Sequence, residues 1–482
     1  MRRSKLYYAL IFSLLGFIAF PAKAQDRGGS DPYARAFADS VLTYERYIDL
    51  VEEYHPVSVL ADLEVDLARA DLRRSRGGFD PALYGDYATK EFRESRYYEY
   101  LDAGVEIPTW AGLSFRGGFQ NSNGAFINPD KRIPGPGQLS AGLSAQLGAG
   151  LLMDERRAAL RQAQIGLEQG QLDRVILRNR LYVEATTAYY RWAFAEAALR
   201  IAEEALELAN FRYGAVRENF RYGDVPAIDT VEAYTQVLNR LNLWKAAQSD
   251  WVEALNTAEV FLWDEEGRAR EIPPGIRPKT LSPDPSIAEG LPMIIDADHP
   301  ELRRLRTVTD FLDIDRRLAA EFLRPRAELR YNFLSENVMM NSDEQIFSNA
   351  GFFDNNYTFG ARVFFPLFMR EARGRVGMAK VRMRMVDQDY YNLDASLSAD
   401  LDAALVRLQN LREQIDYTGQ NVEYLGRLLE GERALFENGE SSLFLINARE
   451  TQLVDGQNIY VNLLARARIL YAEIRNIAGQ GF

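Results

Sequence analysis

The sequence predicts a mainly α protein with a β-barrel portion, built from a duplicated unit of strands followed by a long helical hairpin. Three observations predict it. Segments of about ten residues alternate apolar and polar side chains, the period of a strand. An apolar stripe with coiled-coil spacing runs from Leu397 to Phe436. Landmarks in the first half of the 482-residue chain return in the second.

The chain opens with Arg2, Arg3 and Lys5, an apolar run from Leu6 to Phe20, and Ala22-Lys23-Ala24. This is the pattern of an export signal, so residues 1–24 are set aside and Gln25 is the expected mature start. A retained anchor is the weaker reading, because the run is shorter than the ~20 residues a spanning helix needs. There is no cysteine, which removes both disulfide staples and a cysteine-linked lipid. The net charge is −12, and −16 without the leader, which argues against nucleic acid as a partner. No later stretch is apolar over the length of a spanning helix, so any passage through a membrane must be made by strands.

The duplication rests on matched landmarks. The only two histidines, His55 and His299, each precede a proline, Pro56 and Pro300. Each is followed 25 residues after that proline by another, Pro81 and Pro325, which opens a strand-like stretch. The copies are 244 positions apart there. Further on, Arg217 to Gly223 matches Arg433 to Gly439 at an offset of 216, so the first copy carries 28 more residues. The surplus lies between the first strand and the long helix.

The strands come first in each copy. Leu139, Ala141, Leu143, Ala145 and Leu147 alternate with polar or small neighbours, as do Ala327 to Phe333 and Tyr357 to Phe365. Length and aromatic content suit tilted barrel strands, with a soluble sandwich as the alternative. The surplus alternates too, from Val105 and Ile107 to Phe115 and Phe119, and reads either as an extra hairpin or as a long surface loop. Four to six strands cannot close a membrane barrel, whose smallest forms have about eight, so the wall must be shared between copies.

The helices follow. In the second copy the stripe steps by four and three through Leu401, Leu408, Leu411, Ile415 and Leu429 to Phe436. Its counterparts, from Leu181 and Ala185 through Trp192 to Tyr213 and Phe220, are apolar or aromatic. Each helix is expected to start near Met153 or Arg370 and to end near Phe220 or Glu437, a span of ~100 Å at 1.5 Å per residue. Gly223 and Gly439 permit a tight reversal with φ > 0. Pro226 suits the first turn of one returning helix, and Ser441 or Ser442 the cap of the other. The returning helices are expected to reach Trp263 and Ile477.

This order of elements, with Gly223-Asp-Val-Pro-Ala-Ile-Asp229-Thr-Val-Glu232-Ala233, Gly439 to Arg449, and Phe364-Phe365-Pro366-Leu367, resembles the TolC family of outer-membrane efflux and secretion channels. The likeness extends over nearly the whole mature chain. It implies a homotrimeric α/β-barrel channel in the outer membrane with a large periplasmic portion, in contact with outer-membrane lipid. It implies docking onto a periplasmic adaptor (a membrane fusion protein) and an inner-membrane pump, as part of a tripartite efflux or type I secretion system. The expected organisation is a first repeat over 25–264 (strands about 79–148, hairpin about 153–263), an equatorial linker over 265–298, and a second repeat over 299–482 (strands about 325–367, hairpin about 370–478). The family closes its tunnel at the hairpin tips, often with acidic rings. The resemblance therefore makes Asp229, Glu232 and Asn447 the candidate periplasmic gate, and Gly223 and Gly439 the candidate docking tips. Asp229 has a second explanation, since an acid near a helix start is favoured by the helix dipole. In the second copy the matching stretch offers Leu445 and the uncharged Asn447.

No catalytic, cofactor-binding or metal-ligating set is expected. There is no phosphate-binding glycine loop and no nucleophile–base motif, and the repeated histidines read as structural. The chain is read as a channel rather than an enzyme. The alternative is a periplasmic coiled-coil adaptor or scaffold without a barrel, which explains the helices but not the strands.

Overall fold

The computed structural model describes residues 33, 37, 39–133, 137–283, 294–295, 298–335 and 355–480. The expected leader, part of the proline-rich stretch from Ile272 to Pro292, and Phe482 lie outside them.

After a two-residue strand β1 (Val41–Leu42), each copy begins with helix that the sequence reading did not separate from the strands. In the first copy these are α1 (Tyr44–Tyr54) and α2 (Pro56–Arg76). The histidine–proline pairs explain themselves here. His55 is the N-cap of α2, its Nδ1 accepting from the Val57 amide at 3.2 Å, and Pro56 takes the first helical position, where no N–H is missed. His299 repeats the arrangement with the Glu301 amide, also at 3.2 Å, ahead of α5 in the second copy.

Four strands follow in the first copy: β2 (Ala82–Phe92), β3 (Ser95–Pro108), β4 (Leu113–Asn123) and β5 (Gln138–Gly148). The surplus segment is thus strand, not surface loop. Next come α3 (Glu155–Tyr222) and α4 (Ala227–Glu259), then a two-residue strand β6 (Arg277–Pro278) that pairs in parallel with β1. The second copy runs α5 (Pro300–Glu321), β7 (Arg326–Leu334), β8 (Tyr357–Phe364), α6 (Arg370–Glu437) and α7 (Leu443–Ile477). All six long strands form one sheet in the order β2-β3-β4-β5-β7-β8, antiparallel throughout.

α3 and α6 are each 68 residues long, about 100 Å at 1.5 Å per residue. α3 starts two residues after the expected Met153, because Asp154 caps it by accepting from the Arg157 amide at 2.8 Å. α4 stops at Glu259, short of the expected Trp263, which instead bridges to Ala269. Pro226 is the N-cap of α4, not part of its first turn. Neither serine caps α7 through its side chain: Ser442 occupies the N-cap without a cap hydrogen bond, and the Ser441 hydroxyl meets the Glu432 carboxylate.

The coiled-coil stripes are the core. Leu401, Ala404, Leu408 and Leu411 of α6 pack on Leu463, Ala467, Leu470 and Ile474 of α7. Midway along α3, Leu181, Ala185, Tyr189 and Trp192 meet Tyr47 and Val51 of α1 and Ala258 of α4. Burying one such large apolar side chain contributes roughly 1.5–3 kcal/mol. The aromatic hydroxyls there are satisfied by backbone: Tyr47 donates to Ala258 at 2.9 Å and Tyr189 to Leu42 at 2.7 Å. Among the described residues, no helix is long and apolar enough to cross a membrane.

Candidate functional site

The sheet has two chemically different faces, and the strand register makes each one continuous. Side chains directly opposite in an antiparallel pair point to the same face. One row therefore runs Leu83, Val105, Gly117, Ala141, Phe333, Tyr357 across all six strands. A parallel row runs Ile107, Phe115, Leu143, Tyr331, Phe359. The other face carries Glu106, Arg116, Gly142, Asn332 and Thr358 in one row, and Gln146, Glu328 and Arg362 in another. On it Arg116 pairs with Glu106 at 2.7 Å and Arg330 with Glu328 at 2.7 Å. The apolar face is open: Leu83 is 85% and Val363 72% exposed. Among the described residues, both sheet edges, β2 and β8, are unpaired. Such a wall meets lipid on one side and water on the other once its edges are covered.

At the far end of the long helices both hairpins turn in the same way. Gly223 adopts φ +85° and Gly439 φ +79°, the left-handed region that favours glycine. Asp224 donates its amide to Asn219 at 3.0 Å, and Glu440 to Leu435 at 2.9 Å. Gly223 donates to Phe220 at 3.0 Å, and Gly439 to Phe436 at 2.9 Å. These paired bonds are the Schellman arrangement, which satisfies the last helical carbonyls. A Cβ at either glycine would meet no atom within 4 Å, so both tips are open to solvent.

Just behind the tips the two hairpins are tied together. Val216 of α3, Ala233 of α4 and Leu443 of α7 form a small apolar cluster flanked by Tyr213 and Phe436. Beside it Arg212 of α3 donates to the Asn447 side-chain oxygen at 2.8 Å and to the Glu450 carboxylate at 2.8 Å, with a second bond to Glu450. Asn447 passes the connection on, its amide donating to Glu232 of α4 at 3.2 Å. Arg433 of α6 reaches Glu450 at 3.0 Å. Arg240 of α4 donates to Thr451 at 2.9 Å, and burial lowers its pKa from the ordinary guanidinium value against the pull of Glu450 and Asp455. Asn447 and Glu450 are 4% and 7% exposed, so these polar groups are withdrawn from water and depend on one another.

Of the three candidate gate residues, the structure brings Glu232 and Asn447 together. Asp229 lies in the first turn of α4 and makes no side-chain hydrogen bond or ion pair among the described residues. Arg212, Glu450, Arg433 and Arg240 were not singled out from the sequence. A signal did exist: at the 216-residue offset Arg212 faces Leu428 and Glu450 faces Tyr234, so polar residues stand in one copy where the other is apolar. Among the described residues no three His, Asp or Glu side chains converge as a metal site.

No family model and no curated protein sequence matches the chain. Solved structures do. The CmeC outer-membrane channel of Campylobacter jejuni superposes with a TM-score of 0.63 at 15% identity, over 91% of this chain and 86% of its own. The outer-membrane protein VceC of Vibrio cholerae gives 0.64 at 15% identity, over 93% and 98%. The MtrE outer-membrane channel of Neisseria gonorrhoeae, in its open state, gives 0.61 at 16% identity, over 91% and 89%. The chain has the fold of these outer-membrane channels along nearly its whole length.

Proposed function

We propose that this chain is one subunit of an outer-membrane exit channel, a passive conduit of a tripartite efflux or type I secretion system. The observation that carries the reading is the unbroken apolar face across six strands, backed by a charged and polar face and bounded by two open edges. Open edges and unsatisfied backbone are not tolerated in lipid, so copies share one barrel, read here as a homotrimer. The long helices extend the conduit into the periplasm. The tips at Gly223 and Gly439 receive a periplasmic adaptor, which couples the conduit to an inner-membrane pump.

The network behind the tips supports a gating role. It joins α3 to α7 through the Arg212–Glu450 ion pair and α4 to α7 through the Asn447–Glu232 hydrogen bond, and in this reading opening parts both contacts. In this reading Glu232, Asn447, Arg212 and Glu450 hold the closed state. Asp229, unpaired among the described residues near the same end, lends negative charge to the opening. The channel has no reaction to catalyse and needs no cofactor. A periplasmic adaptor or scaffold would leave the exposed apolar sheet face without a purpose. The test is fractionation with heat-modifiable gel mobility, followed by conductance in planar bilayers. A protein found soluble in the periplasm, or one that assembles in the outer membrane without forming a conducting pore, overturns the proposal.

A further inference from the structure

Midway along the long helices, three arginines border one groove. Arg191 of α3, Arg407 of α6 and Arg466 of α7 line a space of about 580 Å³ together with Asn410, Gln414, Asn462 and Glu473. α7 forms the floor, where the small Ala465 leaves room, and α3 and α6 pack on either side of it. The three arginines are exposed. Among the described residues, they and the three amide side chains make no side-chain hydrogen bond or ion pair. Other arginines of the helical layer are placed differently: Arg303 and Arg304 of α5 reach Glu168 and Asp173 of α3 at 2.8 and 2.5 Å. The chain without its leader carries a net charge of −16, so carboxylates are plentiful. Cations gathered without them in a concave site focus positive potential there.

The groove opens on the side of the helical layer away from α1. On α3, Leu181, Ala185, Tyr189 and Trp192 pack on α1 and α4, and at ~100° per residue Arg191 falls on the other side. On α7, Arg468 and Arg475 interact with the hydroxyls of Tyr190 and Tyr44 beside α1. Arg466 and Glu473 each stand two residues before one of these, so they point the opposite way. At this height one copy contributes α4, α3, α7 and α6, packed in that order. Three copies make a ring of about twelve helices, which at ~8–10 Å between axes leaves a bore of about 25 Å. Three copies of α1 with its β1–β6 pair, each about 10 Å thick or more, would fill that bore. They therefore lie outside, and the groove faces inward. The charges also sort by height. α3 and α6 run from barrel to tip, and α7 returns. Glu184, Asp400 and Glu473 stand seven residues from Arg191, Arg407 and Arg466, each time on the barrel side. Seven residues are two turns, so each acid shares its arginine's face about 10 Å along.

We infer that this groove is an oxyanion site in the wall of the conduit: Arg191, Arg407 and Arg466 hold a phosphate or sulfate group of a passing solute, and Asn410, Gln414 and Asn462 donate around it. Guanidinium groups suit such a ligand because their paired N–H groups match two of its oxygens at once. Three of them in one groove fit a multiply charged anion. Glu473, at the barrel end of the groove, repels the anion and confines it to the tip side. The site rests on the conduit reading for its place in the bore and adds the class of solute that the bore retains.

Tripolyphosphate is the probe, titrated by calorimetry into the detergent-extracted oligomer at low salt and added to the barrel side of channels in planar bilayers. The parent should bind it with an affinity that falls as salt is raised, and its current should be blocked. Arg191→Gln, Arg407→Gln and Arg466→Gln together, in oligomers of parental gel mobility, should weaken binding by about tenfold or more and remove the block. Glu473→Gln alone should tighten binding a few-fold. Arg200→Gln, Arg412→Gln and Arg427→Gln together remove the same charge outside the groove and should change neither readout. A conducting parent that does not bind the probe, or equal binding by the two triple variants, overturns the site and leaves the conduit reading standing. Binding that the groove variant loses, in a parent that never conducts, overturns the conduit and keeps the oxyanion site. Binding without block in a conducting parent overturns the placement in the bore, and with it the site as stated.

Discussion

If the network behind the tips holds the channel closed, replacing Arg212 with leucine should release it. Arg212 supplies one hydrogen bond to Asn447 and two to Glu450, and its side chain is 14% exposed. The substitution leaves the Glu450 carboxylate, 9% exposed, with Arg433 as its remaining charged partner at 3.0 Å. Hydrogen bonds to charged groups contribute roughly 1.5–3 kcal/mol. Stranding a fully buried charge costs about 3–5 kcal/mol. Glu450 keeps one partner, and Arg433 is 42% exposed, so a loss of about 2 kcal/mol per subunit is the fitting value. If three subunits move together, about 6 kcal/mol shifts the closed-to-open ratio by on the order of 10⁴. Single-channel recording in planar bilayers should then show long-lived high-conductance openings that are rare in the parent. Glu450→Gln should behave in the same direction with a smaller effect, since Gln can still accept from Arg212. Properly assembled Arg212→Leu channels with unchanged conductance and open time would refute the gating role and leave the network as simple packing.

Four further outcomes are expected. Leu143→Arg, at the centre of β5 on the apolar face, should destabilise the assembled barrel by about 2–4 kcal/mol in lipid; its neighbour Ser144→Arg, on the polar face, should fold normally, and equal yields of heat-modifiable oligomer for both would contradict the assigned sidedness. Gly223→Ala should cost about 1–2 kcal/mol of backbone strain at φ > 0, with no clash because nothing lies within 4 Å, whereas Gly223→Trp should abolish export with oligomers intact; export at parental levels removes the tip from the docking surface. Asp229→Asn, which breaks no hydrogen bond, should lower cation selectivity measured as reversal potential in a salt gradient, and no change returns Asp229 to a helix-dipole role. Burial lowers the His55 pKa below its ordinary value. A lowered histidine pKa gives stability that is full above the unfolded value of about 6.5 and is lost as pH falls through the folded value. The fall in melting temperature between neutral and mildly acid pH should therefore be smaller in His55→Asn, which caps without titrating; an identical fall would show that His55 contributes nothing to it.

Periodicity carried most of the architecture. The stripe from Leu181 to Phe220 and its echo from Leu397 to Phe436 specify helices in any context, because a 3.5-residue apolar repeat has one way to be buried. The alternation through Leu139 to Leu147 specifies a strand for the same reason. Gly223 and Gly439 mark reversals because few other residues accept positive φ. The surplus around Val105 to Phe119 was ambiguous as a string, since its length suits a long surface loop as well as an extra hairpin. What decides it is that Val105 finds Leu83 on one side and Gly117 on the other. The helices α1, α2 and α5 were hidden behind the His-Pro landmarks that begin two of them. A histidine accepting an amide at an N-cap is a local bond that composition does not announce.

The tip shows where reading along the chain ends. Glu232 and Asp229 stand three residues apart on one helix and looked alike, yet Glu232 is bonded to Asn447 and Asp229 makes no side-chain bond among the described residues. Arg212 and Glu450 are separated by more than two hundred residues, and neither breaks a motif. The sequence by itself determined the helices, the strands, their duplication and the reversal points, because each depends on side chains within one or two turns of each other. Only the tertiary structure decided which faces of six strands align into one apolar wall, and which charged side chains are drawn out of water behind the tips. Those outcomes depend on cross-strand register and on desolvation, and both are properties of distant segments brought into contact.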